Sequence, residues 1–349
     1  MTLTIAALGL GLLAPAQARP APIGQDPIVP GQVYTGDFPD PSVIRVGPEY
    51  YAYSTTSNGL NVPSLSSTDL KTWHARAGTT TDPTGDALPR TPVWSAGTER
   101  KDGRFTATTW APTVTRLGAG RYVMAYATQV AGSPGQRMCI SLATSTTPTG
   151  PFVDNSTAPI LCPERGAIDP QVFIAPTGRP WLIWKIDHMP ARLYASRMNA
   201  AGTALSATVH HYLLAAVKQP WEGSIIENPA MIRYKGRYYL FYSANSYAST
   251  RYAIGYLICK NWYSKCVRPR KQPLLSTVHS TAGPGGPMPF TDPQGNLRLA
   301  YAAWTTGAVG YPSSLACRTK TSGCGQRRLN IATLGVTPRT GLLKVVRWH

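Results

Sequence analysis

Five segments of this 349-residue chain align on a proline: DPSVIRVGPEYYAYS at Pro41, APTVTRLGAGRYVMAYA at Pro112, DPQVFIAPTGRPWLIWK at Pro170, NPAMIRYKGRYYLFYSA at Pro229 and GPMPFTDPQGNLRLAYA at Pro287. Each reads as a proline, a short apolar run, a turn and a second strand, which is rich in aromatics in most copies. The last four prolines are 58, 59 and 58 residues apart, and the first interval of 71 leaves room for an inserted loop. Regular self-similarity at a fixed period is the mark of a repeat architecture, in which each unit buries its apolar face only against its neighbours. No segment carries a helical period of useful length, so the repeats predict an all-β chain, and five copies predict a five-bladed β-propeller.

Within each repeat the alternation of apolar and polar residues predicts three strands separated by Gly-containing turns. They fall at Ser42 to Val46, Tyr50 to Ser54 and Ser64 to Trp73 in the first blade, and at Thr113 to Arg116, Tyr122 to Thr128 and Met138 to Ala143 in the second. Blade three takes Gln171 to Ile174, Pro180 to Lys185 and Leu193 to Met198; blade four takes Ala230 to Tyr234, Arg237 to Ser243 and Tyr252 to Leu257. In blade five they are Pro287 to Thr291, Leu297 to Ala302 and Asn330 to Leu334. The interval Arg76 to Thr109 is rich in Gly, Thr and Pro without periodicity and reads as a loop over one face. Ahead of the repeats, the apolar run Leu3 to Leu13 and Ala16-Gln17-Ala18 look like a secretory signal over 1–18, too short to cross a bilayer, followed by a Pro-rich linker over 19–30. The remainder, 31–349, is expected to be one catalytic domain, exported and monomeric, with no membrane partner.

An even count of six cysteines in an exported chain favours disulfides over a metal site, and sequence proximity predicts Cys139–Cys162, Cys259–Cys266 and Cys317–Cys324. No Cys/His spacing suits a metal. The formal charge of +18 comes from 34 basic residues scattered along the chain, densest between Lys260 and Lys271. No nucleic-acid motif accompanies them, so nucleic acid is not an expected partner; the first reading is simply a cationic exported protein, and the second is attraction to an acidic polysaccharide or cell surface.

Rotation between blades brings equivalent positions around one axis. The positions before the five prolines hold Asp40, Ala111, Asp169, Asn228 with Glu227 just before it, and Gly286. A chain with only 16 acidic residues therefore sets three of them at or beside one repeated site. An Asp before Pro can cap a turn, yet Ala111 and Gly286 do without an acid, so capping is not a demand of the blade. Three carboxylates facing one pocket suit glycoside hydrolysis, with one to activate water, one to protonate the leaving oxygen and a third to tune them. Phe38, Trp110 and Trp221 adjoin these positions and are candidate sugar-stacking surfaces, whereas Trp181, Trp184 and Trp304 read as core.

The stretches FPDPSVIR, SSTDLKTW, WAP at Trp110, AIDPQVF and IIENPAMIRYKGRYYLFYSAN resemble glycoside hydrolase family 43, from about Gly36 to the C-terminus. The resemblance implies a five-bladed propeller that hydrolyses α-L-arabinofuranosides, β-xylosides or related linkages with inversion. By position it implies that Asp40 is the general base, Asp169 the residue that orients the acid and favours its protonated form, and Glu227 the general acid. Glu222, in Trp221-Glu222-Gly223, is a lookalike for the acid; Glu227 is preferred because it directly precedes Asn228-Pro229. Many members hold a central cation with a His after Gly-Pro-Gly. Here that place is Gly286, and the nearest histidine is His279, so no cofactor is expected, with a central cation as the open alternative. The rival readings are a catalytically silent, lectin-like propeller and a fructan-cleaving hydrolase, whose Asn-Asp-Pro-Asn and Arg-Asp-Pro motifs are missing. The expected partner is an arabinan, arabinoxylan or xylan oligomer.

Overall fold

A computed structural model describes residues 31–78, 84–278, 281–311 and 325–348. The signal and linker, His279 and the Cys317–Cys324 pair lie outside the described residues. Five antiparallel sheets, one per repeat, surround a common axis. Blade one comprises β1 (Ser42–Val46), β2 (Glu49–Tyr53), β3 (Ser64–Ser67) and β4 (His74–Ala75). A small hairpin of β5 (Gly97–Glu99) and β6 (Phe105–Ala107) precedes blade two, which holds β7 (Thr109–Gly118), β8 (Arg121–Gln129) and β9 (Met138–Ser145). Blade three holds β10 (Ala167–Ile174), β11 (Pro180–Ile186), β12 (Arg192–Arg197) and β13 (His211–Ala216). Blade four holds β14 (Ile226–Tyr234), β15 (Arg237–Ala244) and β16 (Ala253–Cys259). Blade five holds β17 (Thr281–Thr291), β18 (Leu297–Thr305), β19 (Arg328–Val336) and β20 (Leu343–Trp348).

The five-bladed propeller is thus as expected, with two differences. The interval from Arg76 to Thr109 is not featureless: it carries the β5–β6 hairpin, tied to blade one from inside. The buried amide of Asn61 donates to the carbonyls of Leu88 (3.0 Å) and Phe105 (3.1 Å) and accepts from the Ala107 N–H (2.8 Å). The Asp86 carboxylate accepts from the N–H groups of Asn61, Val62 and Leu88. Secondly, three blades have a fourth, outer strand, β4, β13 or β20, where only three were expected. Outer strands pack on one side only, and β20 accordingly alternates too weakly to be read from sequence.

The inner strands β1, β7, β10, β14 and β17 pack in succession around the axis, and β17 meets β1 to close the ring. Side chains of adjacent blades interdigitate in the gaps. Between blades five and one, for example, Phe38, Val43 and Tyr50 pack with Met288, Phe290 and Ile331. Closure is reinforced by the segment before β1: the Ile331 N–H donates to the Gly31 carbonyl (2.7 Å) and the Val33 N–H to the Leu329 carbonyl (3.0 Å). The disulfides Cys139–Cys162 and Cys259–Cys266 are present as expected, each pinning a loop to the end of a strand.

One local device recurs in the inner strands. The residue before each repeat proline is left-handed: φ is +50° at Asp40, +43° at Ala111, +54° at Asp169, +48° at Asn228 and +64° at Gly286. In blades two to five the pairing register slips there, between Trp110 and Thr113, Ile168 and Gln171, Glu227 and Ala230, and Gly285 and Met288. Such a bulge bends the strand and re-aims the side chains on it. Asp, Asn and Gly tolerate this conformation better than other residues; Ala111 adopts it at a cost of roughly 1–2 kcal/mol. The chemistry and the backbone geometry therefore favour the same residue types.

Candidate active site

The bulges deliver their side chains to one end of the axis. There Asp40, Asp169 and Glu227 line an open pocket of about 630 Å³, a size usual for small-molecule sites. Asp40 is held at both oxygens. The Thr55 hydroxyl donates to Oδ2 (2.8 Å) while accepting from the Ala111 N–H (2.8 Å), and Asn228 Nδ2 donates to Oδ1 (3.3 Å). Burial pushes the Asp40 carboxyl above the usual carboxylate range, against the pull of the Arg327 guanidinium and the Thr55 hydroxyl. Asp169 accepts from the Asn228 N–H (2.9 Å) and is pushed up to about 7, chiefly by burial and further by the neighbouring Glu227 and Asp40 charges, with Lys185 opposing.

Glu227 sits between two partners that its sequence neighbourhood does not reveal. Lys185 Nζ, on β11, lies 3.3 Å from its Oε2 and 3.9 Å from Asp187 Oδ1. Burial disfavours that ammonium, but Glu227, Asp169 and Asp187 together keep it above its ordinary value. On the other side the Tyr252 hydroxyl lies 2.7 Å from Glu227 Oε1 and 2.9 Å from Asn228 Oδ1. Asn228 thus joins Asp40 to Tyr252, and Tyr252 joins Asn228 to Glu227.

Opposite these groups stand Asp37 and Arg327. Arg327 is 2% exposed and donates to the carbonyls of Gly283 (3.1 Å), Ala302 (2.9 Å) and Tyr247 (3.3 Å). Its guanidinium lies over the rings of Tyr252 and Trp304 at 5.2 and 5.4 Å. Asp37 accepts from the Arg327 N–H (2.8 Å) and the Tyr311 hydroxyl (3.3 Å), and burial raises its carboxyl despite both. The only sequence signal for Arg327 is that it precedes the innermost residues of β19, which repeats nothing in the other blades.

Of the three aromatics expected to stack on sugar, Trp110 lines the pocket and is 39% exposed. Phe38 does not reach it. The chain turns at Pro39-Asp40, so the ring points into the gap between blades five and one, 0% exposed and edge-on to Tyr34 at 5.9 Å. Nor does Trp221, which lies in a short 3-10 turn (Pro220–Glu222) and stacks on Tyr242 at 5.9 Å. The rings that join Trp110 at the pocket are Tyr252, at the start of the third strand expected in blade four, and Tyr247 and Tyr311, in loops that periodicity could not assign. Glu222 is also away from the pocket. Fully buried, it pairs with Arg268 at 2.6 Å and accepts from the Tyr242 hydroxyl and two backbone N–H groups. Burial opposes its charge, but these partners hold its carboxyl below the usual range.

An axial channel runs below the acids. It is narrow, about 20 Å³, and lined by Asp40, Asp169, Asn228 and Thr113 beside Ala111, Ala230, Met288, Gly286 and four of the repeat prolines. At Gly286 a Cβ would stand 2.9 Å from the Asp40 Cα, so no imidazole fits there without displacing the aspartate. Among the described residues no group of three His, Cys, Asp or Glu side chains is arranged to hold a metal.

A five-bladed propeller with two aspartates and a glutamate converging on an axial pocket has the design of a propeller-type glycosidase. A sequence profile of Glycosyl hydrolases family 43 matches residues 30–320, and the chain belongs to that family. It is therefore a hydrolase of O-glycosyl compounds acting with inversion, the course characteristic of the family, and the lectin-like and fructan-cleaving readings fall away. Among solved structures, a thermostable family-43 glycoside hydrolase superposes with TM-score 0.71 at 26% identity, covering 90% of this chain and 95% of that one. An endo-1,4-beta-xylanase from Bacteroides thetaiotaomicron gives 0.67 at 24% identity, covering 91% and 97%. An endo-arabinase from the same organism gives 0.65 at 21% identity, covering 88% and 98%. A search of curated proteins gave no significant match.

Proposed function

We propose that the enzyme is an exported pentosidase that hydrolyses arabinose- or xylose-containing plant polysaccharides or their oligomers, with Asp40 as general base, Glu227 as general acid and Asp169 positioning the acid. The observation that carries the roles is the Tyr252 hydroxyl. Asn228 turns its amide nitrogen to the Asp40 carboxylate, so it presents its oxygen to Tyr252. A phenol has a single proton. It is shared between Glu227 Oε1 (2.7 Å) and Asn228 Oδ1 (2.9 Å), and with Lys185 Nζ 3.3 Å from Oε2 it fixes the Glu227 carboxyl at both oxygens. A protonated glutamate is what a general acid must be before the leaving oxygen departs. Asp40, raised by burial and fixed at both oxygens, is a stronger base than an ordinary aspartate for taking a proton from water.

Support for a pentose substrate comes from the xylanase, xylosidase and arabinanase names among the structural neighbours. Support for export comes from the two disulfides, which persist in oxidising compartments. Purified enzyme should release aryl alcohol from an aryl α-L-arabinofuranoside or an aryl β-xyloside, or shorten debranched arabinan. Proton NMR of the first-formed sugar should show the inverted anomer. Turnover of none of the three would sink the pentosidase reading, and a retained anomer would force a nucleophilic role on Asp40.

A further inference from the structure

Charge is divided unevenly along the chain. Up to Glu227 there are 17 Lys and Arg against 15 Asp and Glu; from Asn228 onward there are again 17 basic residues but a single acid, Asp292. The Asp292 side chain is fully buried and is paired with Arg298 at 2.7 Å. Among the described residues, the exposed charges of blades four and five are therefore all positive.

The topology gathers several of them on the face opposite the pocket. Strand β14 leaves the pocket at Glu227 and reaches the far face at Tyr234, so Arg233, Lys235 and Arg237 flank the turn into β15 there, all exposed. Tyr238 pairs with Cys259, which brings exposed Lys260 to the same end of the blade. The turn between β19 and β20 comes down beside them. A Cβ on Gly341 would stand 2.8 Å from Arg237 Cδ, and the Tyr239 hydroxyl donates to the Gly341 carbonyl at 3.0 Å. Arg339 and Lys344 flank that glycine and are exposed. None of these six side chains has an acidic partner among the described residues.

We propose that this basic face binds a carboxylate-bearing polysaccharide, a polyuronate segment, and so anchors the enzyme to polymer whose neutral pentose branches enter the pocket. The choice of polymer rests on the pentosidase reading, while the face itself does not. The pocket is occupied by the catalytic acids and their partners, so carboxylates on the same polymer need another surface. Point charges spread over turns match carboxylates repeated along a stiff chain, and arginine forks suit carboxylate geometry. Nucleic acid is a poorer fit, because the Tyr234 ring at this face is covered by Lys235 at 5.5 Å instead of being offered to a base. Single exposed pairs are weak, so the binding is multivalent and screened by salt.

The test titrates the full chain against immobilised polygalacturonate, neutral debranched arabinan and duplex DNA at low and high salt. One variant combines Lys235→Glu, Arg339→Glu and Lys344→Glu; a control makes the same charge change in blades two and three with Arg116→Glu, Arg121→Glu and Arg179→Glu. Wild type should bind polygalacturonate at low salt and release it at high salt. The first triple variant should weaken that binding about tenfold, which is roughly 1.4 kcal/mol, and the control should leave it unchanged. Aryl-glycoside turnover should be unaltered in both, which establishes that the fold is intact. Absence of polygalacturonate binding by wild type, equal loss in both variants, or tighter binding to DNA would each overturn the proposal. Failure of wild type to turn over any pentoside would instead count against the pocket reading and leave the binding result standing.

Discussion

Glu222 and Glu227 are five residues apart, and only the second reaches the pocket. If Glu227 is the proton donor, Glu227→Ala should lose about 10² to 10⁴ in kcat on natural glycosides but much less on aryl glycosides whose leaving group departs unprotonated. Asp40→Ala should be slow on both, because water must be activated whatever leaves; steady-state kinetics on the two substrate types decides this. Asp169 is pushed up to about 7, against a value near 4 in the unfolded chain, so the folded enzyme holds a proton there that the unfolded chain has released. Its contribution to stability is complete below about pH 4 and is lost as the pH rises through about 7. Asp169→Asn cannot ionise. Its melting temperature relative to wild type should therefore climb between those two pH values and level off above them; a constant difference across that range would refute the shift.

At the scale of single elements, the turn Pro220–Glu222 is a support for blade four. Glu222→Ala would leave Arg268, whose side chain is 8% exposed, without its counter-charge, at a cost of about 3–5 kcal/mol. The melting temperature should fall by about 10 °C, while the enzyme that remains folded keeps wild-type dependence on the leaving group. Calorimetry and kinetics on one preparation separate the two effects. The inner strands were the legible elements. The bulge before each proline constrains residue type strongly enough that Asp40, Asp169 and the neighbouring Glu227 could be found by alignment of the chain with itself. Lys185, Tyr252 and Arg327 stand on second and third strands or in loops, where nothing repeats and a polar residue at an apolar position looks like noise. Phe38 and Trp221 adjoin the site in sequence but not in space. A left-handed residue after Phe38 and a 3-10 turn around Trp221 turn both rings into the protein.

Over the whole molecule, the axis serves to pack blades at one end and to hold acids at the other. Gly286 is pressed against Asp40, which leaves no room for a histidine ligand at that position, and among the described residues no group of three His, Cys, Asp or Glu side chains is arranged to hold a metal. Activity should therefore survive exhaustive treatment with EDTA, and a loss restored by a divalent ion would require a ligand set that these residues do not form. The ring itself is sealed by contacts between residues almost a full chain length apart: Arg328 reaches the Gln32 amide across 296 positions, beside the backbone bonds of Gly31 and Val33 to Leu329 and Ile331. Loop closure over such a separation is slow compared with pairing inside a blade. On dilution from denaturant, circular dichroism should report strands before any glycoside is cleaved, because the pocket borrows Asp40 from the first blade and Arg327 from the last. Turnover then serves as a clock for the moment at which the two ends of the chain meet.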